Sequence, residues 1–99
     1  MAAFLIVEIS KVHDEQTYAE YREKAPPNLA AAGAKYLVRG GAVEVLEGDW
    51  KPNRLVVIRF DSAEAARRWW SDPGYAELKA LRQNSTTSKM ILVEGLPDV

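Results

Sequence analysis

Three short apolar runs, Phe-Leu-Ile-Val at residues 4–7, Leu-Val-Val-Ile at 55–58 and Met-Ile-Leu-Val at 90–93, constrain this chain more than any other feature. Each is rich in β-branched or long aliphatic side chains, and each reads as a buried strand. Side chains alternate across a strand, so Phe4 and Ile6 point one way while Leu5, Val7 and Ile9 point the other. Leu55 and Val57 oppose Val56 and Ile58, and Ile91 and Val93 oppose Met90 and Leu92. A sheet with helices on one face normally turns polar side chains to water on the other. Here both faces are apolar. Three such strands side by side would expose a patch larger than the ~400 Å² that a soluble monomer tolerates comfortably.

Between these runs the pattern becomes helical. Asp14 is placed to cap a helix in which Tyr18, Tyr21 and Ala25 share one face. Pro26 and Pro27 are expected to interrupt it, with a further turn over residues 28–32 and Gly33 as the stop. Residues 36–46 read as one strand bent at Gly40-Gly41, and residues 48–52 as the hairpin loop into a strand over 54–60. Asp61 or Ser62 caps the second helix, Asp61 with Glu64 making a capping box; Ala65, Ala66, Trp69 and Trp70 form its buried stripe. Asp72-Pro73 restarts that helix, with proline where its missing N–H costs nothing, and Tyr75, Leu78 and Leu81 continue inward. The polar stretch 84–88 reads as a loop before a last strand over 90–94. The order is βαββαβ, an α+β arrangement with an antiparallel four-stranded sheet and helices on one face.

A length of 99 residues predicts one domain, residues 1–99, with no second unit. No element is left over to shelter the second sheet face. Its simplest cover is the same face of another copy about a two-fold axis, so a homodimer through the sheet face is expected. The alternative is a monomer whose loops fold over that face.

Composition closes off several chemistries. The 47% hydrophobic and 27% charged fractions are those of an ordinary globular chain, and 13 basic against 14 acidic residues leaves a net charge of −1. That balance gives no general pull on nucleic acid or on a membrane surface. Without cysteine there can be no disulfide, thiolate nucleophile or iron–sulfur site, and the lone His13 cannot build a zinc site. No calcium-loop spacing or phosphate-binding glycine loop occurs, so no metal and no cofactor is expected. No apolar run approaches a membrane span and the N-terminus lacks a signal-peptide pattern, so a cytoplasmic protein is expected.

Several motifs carry a family resemblance: Tyr18-x-x-Tyr21, Leu37-Val38-Arg39-Gly40-Gly41, Leu46-Glu47-Gly48-Asp49-Trp50, Trp69-Trp70-Ser71-Asp72-Pro73-x-Tyr75-x-x-Leu78-x-x-Leu81-Arg82 and Leu92-Val93-Glu94-Gly95. On these the chain resembles the bacterial domain-of-unknown-function family 1330, a likeness that extends over residues 4–95. Glu15 stands where the family often has proline, and Trp70 where tyrosine is common. The resemblance implies a ferredoxin-like fold of the dimeric α+β barrel superfamily and no established reaction. Relatives in that superfamily include cofactor-free monooxygenases, isomerases and haem enzymes, an analogy of fold that assigns no function.

The residues best suited to a small-molecule site are Arg39, Tyr18, Tyr21, Trp69, Tyr75 and Arg82. Arg39, beside the small backbone of Gly40-Gly41, suits a two-pronged grip on a carboxylate; the structural reading is an ion pair with Glu47 or Glu94. Arg82, seven residues after Tyr75, falls on the apolar face of its helix, where a charge must snorkel or find a partner. The aromatic residues could wall a cleft between helices and sheet, or simply fill the core. Glu8 and Arg59 stand on neighbouring strands of such a sheet and could pair. Trp50 reads as a cover at the dimer edge, and His13 as a solvated loop residue. Three functions compete: a dimer binding a small organic acid or aromatic ligand, a cofactor-independent monooxygenase or isomerase, and an interaction module with a filled core.

Overall fold

The apolar runs form the two central strands and one edge of a single sheet. A computed structural model describes residues 1–99. Its elements are β1 (Ala3–Val12), α1 (Glu15–Ala31), β2 (Lys35–Arg39), β3 (Arg54–Phe60), α2 (Ala63–Ser71), α3 (Pro73–Ser85) and β4 (Thr86–Glu94). The strands lie in the order β2-β3-β1-β4, every neighbouring pair antiparallel. With α2 and α3 together serving as the second helix, this is the ferredoxin-like βαββαβ arrangement.

The helices bury one sheet face. Leu5, Val7 and Ile9 of β1 and Val56, Ile58 and Phe60 of β3 pack against Tyr18, Leu29, Ala66, Trp69 and Tyr75. Each large apolar side chain so buried contributes on the order of 1.5–3 kcal/mol, and these contacts hold the helical layer to the sheet. On the opposite face the register sets Val38, Val57, Ile6 and Ile91 in one row across all four strands. Ile91 is 57% exposed and Val38 40%. The molecule is a slab of 36 × 33 × 16 Å, one sheet and one helical layer thick.

Loops shelter only the ends of that open face. At one end Trp50 Nε1 donates to Glu8 Oε2 at 3.2 Å. At the other, Gly95 N donates to Ala2 O at 2.8 Å, which lays the last residues against Phe4. Glu8 and Arg59 both lie on this face without pairing. Glu8 is flanked by Leu55 and Lys89, whereas Arg59 sits beside Phe4 and bonds Asp61 at 2.9 Å.

Several local expectations are corrected. Pro26 and Pro27 do not interrupt α1, which runs through them to Ala31. The bent strand over 36–46 is absent: β2 ends at Arg39, Gly40 turns the chain with φ of 71°, and residues 41–53 are irregular. Ser62 rather than Asp61 caps α2, accepting from Ala65 N at 3.0 Å, because Asp61 is engaged by Arg59. Trp70 is 38% exposed, stacked under Lys79 instead of joining the buried stripe. The loop over 84–88 does not exist, since α3 passes directly into β4. There Thr86 Oγ1 donates to Arg82 O at 2.7 Å and Ser85 Oγ to Leu81 O at 2.6 Å, so hydroxyls close the helix end that a loop would otherwise solvate.

Candidate functional site

One cleft lies between α1, the end of α3 and the β2 side of the sheet. Tyr18, Tyr21 and Arg22 come from α1, where spacings of three and four put them on one face. Arg82 comes from the last turn of α3, with Tyr75 two turns earlier on the same face. Tyr36 and Arg39 come from β2. Three residues apart, they would face opposite ways in a regular strand; the bulge between Tyr36 and Val38 turns both toward the helices. Arg54 opens β3, and Val7, Ile9 and Val56 form an apolar floor.

The inner part is tight, with about 30 Å³ of free space. Tyr21 and Tyr75 join hydroxyl to hydroxyl at 3.1 Å, and Trp69 packs on Tyr75 with ring centroids 4.0 Å apart. Trp69 Nε1 is itself satisfied by Asn28 Oδ1 at 2.8 Å. Burial, followed by the neighbouring Tyr75 hydroxyl, pushes the Tyr21 phenol far above the usual tyrosine range, and the Arg82 charge opposes this only in part. Burial also raises Tyr36, with Arg39 opposing. Both phenols therefore stay protonated at neutral pH and serve as hydrogen-bond partners, not as bases.

The arginines set the electrostatics. Arg82 is only 3% exposed, and its one side-chain bond runs from Nη1 to Ser88 Oγ at 2.8 Å. Its Nε and Nη2 are buried without partners, as is Arg54 Nε. Arg39 lies over the Tyr36 ring at 4.9 Å and donates from Nη2 to the backbone carbonyl of Arg22 at 2.8 Å. The cleft opens into a recess of about 560 Å³ lined by Ala19, Arg22, Glu23, Arg39 and Arg54. The three salt bridges of the molecule, Lys24–Glu20, Arg59–Asp61 and Arg68–Glu64, involve none of these arginines. The alternative reading of Arg39, an ion pair with Glu47 or Glu94, is not what the structure shows.

A family model, "Domain of unknown function (DUF1330)", matches residues 2–96. The chain belongs to this family. Among curated proteins nothing matches it. Of solved structures, the DUF1330 chain is similar to RPA0582, a protein of unknown function from Rhodopseudomonas palustris, with a TM-score of 0.74 and 20% identity over 96% of this chain and 82% of that one. It is similar also to SnoaB, a cofactor-independent oxygenase from Streptomyces nogalater, with a TM-score of 0.57 and 16% identity over 98% of this chain and 97% of that one. The de novo designed protein Foldit4 gives a TM-score of 0.60 and 14% identity over 97% of this chain and 100% of that one. An oxygenase and a designed protein share this architecture, so the likeness shows the fold alone.

In this DUF1330 chain the structure gathers Arg39, Tyr18, Tyr21, Trp69 and Arg82 around the cleft, with Tyr75 behind them touching Tyr21. Sequence reasoning missed Arg22, Tyr36 and Arg54. Arg22 was legible, four residues after Tyr18 on the same helical face. Tyr36 was hidden by the bulge, and Arg54 by its place at a strand start. The open space at Gly40 serves Arg54 and not Arg39: a Cβ on Gly40 would collide with the Arg54 guanidinium. His13 lies elsewhere, bonded through Nε2 to Thr87 Oγ1 at 2.6 Å, and nowhere do three His, Asp or Glu side chains converge as a metal site requires. No helix is long and apolar enough to cross a membrane.

Proposed function

We propose that this protein is a homodimer, joined through the open face of its sheet, that binds a small organic acid in the cleft between helices and sheet. Arg82 carries the ligand reading. A guanidinium cannot shed its proton, so a buried one without a counter-charge is costly, and its loss of hydration is offset most fully by an anion. The fold supplies no carboxylate there. With Tyr21 and Tyr36 held protonated and no imidazole in the cleft, the residues suit recognition of an anion better than abstraction of a proton.

The dimer reading is supported by the apolar row Val38–Val57–Ile6–Ile91 and by the surface area. The chain exposes 6502 Å², on the order of 900 Å² more than the ~5,600 Å² expected of a monomer of its mass, and a standard interface removes about 800 Å² from each partner.

A panel of small carboxylic acids tests the ligand reading by thermal unfolding, because a ligand bound only by the folded state raises the midpoint. A rising midpoint with acid concentration is expected, absent in Arg82→Met. A panel in which no acid shifts the midpoint would overturn the reading and leave an interaction module with a filled core.

A further inference from the structure

We propose that the ligand is a short dicarboxylate, with one carboxylate seated on the free edge of Arg82 and the other held at the mouth by Arg39 and Arg54. The proposal rests on the acid-binding reading above and specifies what kind of acid.

The free atoms of Arg82 choose the first group. Its Nη1 is committed to Ser88, and the two unpartnered nitrogens, Nε and Nη2, are those of the guanidinium's side edge. That edge offers two parallel N–H bonds, the spacing a carboxylate accepts. A carboxylate satisfies both of these N–H groups with its two oxygens, and the apolar floor of Val7, Ile9 and Met90 offers nothing to a third. The inner space of about 30 Å³ leaves room for a small head group.

The rest of the ligand must therefore lie outward, and the mouth sets its charge. Arg22, Arg39 and Arg54 face a recess that holds a single carboxylate, Glu23. One acid group on Arg82 leaves that excess of positive charge unmatched; a second group does not. Arg54 and Ser88 flank Ile9 on either side, about 10 Å apart between Cα atoms at two strand spacings, and Arg82 is anchored on Ser88. Arg82 and Arg54 thus enter the cleft from opposite sides of Ile9, the Arg54 guanidinium lying toward Gly40 at the mouth, and the floor between them, Val7, Ile9 and Val56, suits a methylene chain.

The experiment is calorimetric titration of the full chain, at low salt and near-neutral pH, with succinate, glutarate and adipate, the monomethyl ester of each, and propionate. One diacid should bind about tenfold or more tightly than its own ester, the gain expected of one additional charge-assisted contact. Arg39→Met and Arg54→Met should each erase that advantage. If diacid and ester bind alike, the dicarboxylate proposal is overturned while acid binding stands. If neither the diacids nor propionate bind, both fall. The ester comparison uses the unaltered protein, so a variant that fails to fold does not rescue the proposal.

Discussion

Arg39 donates to the backbone carbonyl of Arg22, the carbonyl that Pro26 leaves without its helical donor. A side chain on β2 thus repairs a helix defect on α1, and the repair aims the guanidinium at the cleft mouth. Structure and site share one contact. Arg39→Met should cost about 1 kcal/mol in urea unfolding, the usual net worth of such a bond. In a Pro26→Ala background, where residue 26 regains its N–H, the same change should cost less. Equal costs in the two backgrounds would show that Arg39 does not compensate for the proline.

Arg82→Met should stabilise the ligand-free protein. The substitution removes a buried charge with two unpartnered nitrogens and keeps most of the side-chain volume; Ser88 Oγ remains hydrogen-bonded with Thr86 Oγ1 at 3.2 Å. Replacing buried ionic groups by apolar ones of similar size gains on the order of 1–4 kcal/mol, and the lower end is expected here because one bond to Ser88 is lost. A higher urea midpoint with loss of acid binding would mark a residue kept for function at a cost in stability. A loss of several kcal/mol would mean that the fold itself uses the charge.

The fold was legible because its strands announce themselves. The β-branched and aliphatic runs at 55–58 and 90–93 are short and read as strands, and Asp72-Pro73 marks the joint between α2 and α3 where it is found. What misled was local chemistry overridden by distant partners. Proline breaks a helix by orphaning a carbonyl, and Arg39, 17 residues on from Arg22, supplies the missing donor. A Ser/Thr tract reads as a loop until its hydroxyls close a helix end. The cleft was half legible for the same reason: helical spacing aligned Tyr18, Tyr21, Tyr75 and Arg82, whereas the bulge that turns Tyr36 and Arg39 inward leaves no mark in a period-two pattern.

Tyr21 predicts an alkaline limit to stability. Its phenol is held protonated in the fold, well above the ordinary value of 10.0, so the unfolded chain ionises first. Its contribution is whole below that value and is lost as pH rises beyond it, by up to about 1.4 kcal/mol per pH unit for one group. Tyr21→Phe should cost about 1 kcal/mol near neutrality, from the lost bond to Tyr75, and should flatten the decline above pH 10.0. Tyr36, also raised, keeps some slope in the variant. Urea unfolding over a pH series decides this, and an unchanged alkaline slope in Tyr21→Phe would show that this phenol is not the group responsible.

Ile91→Lys separates the two fates of the open face. The side chain is 57% exposed on edge strand β4, at the end of the row that includes Ile6, Val57 and Val38. In a monomer this is an ordinary surface change, worth within about 0.5 kcal/mol. Across a two-fold interface the same substitution buries a lysine from each copy against an apolar row, where neither has a counter-charge. Sedimentation at micromolar concentration should find the parent chain at twice its 11.0 kDa mass and Ile91→Lys at one, both with the same helical content by circular dichroism. A parent chain that sediments as one copy would leave Trp50 and the last residues as the only shelter for the face, and the excess of exposed area would then require a different partner.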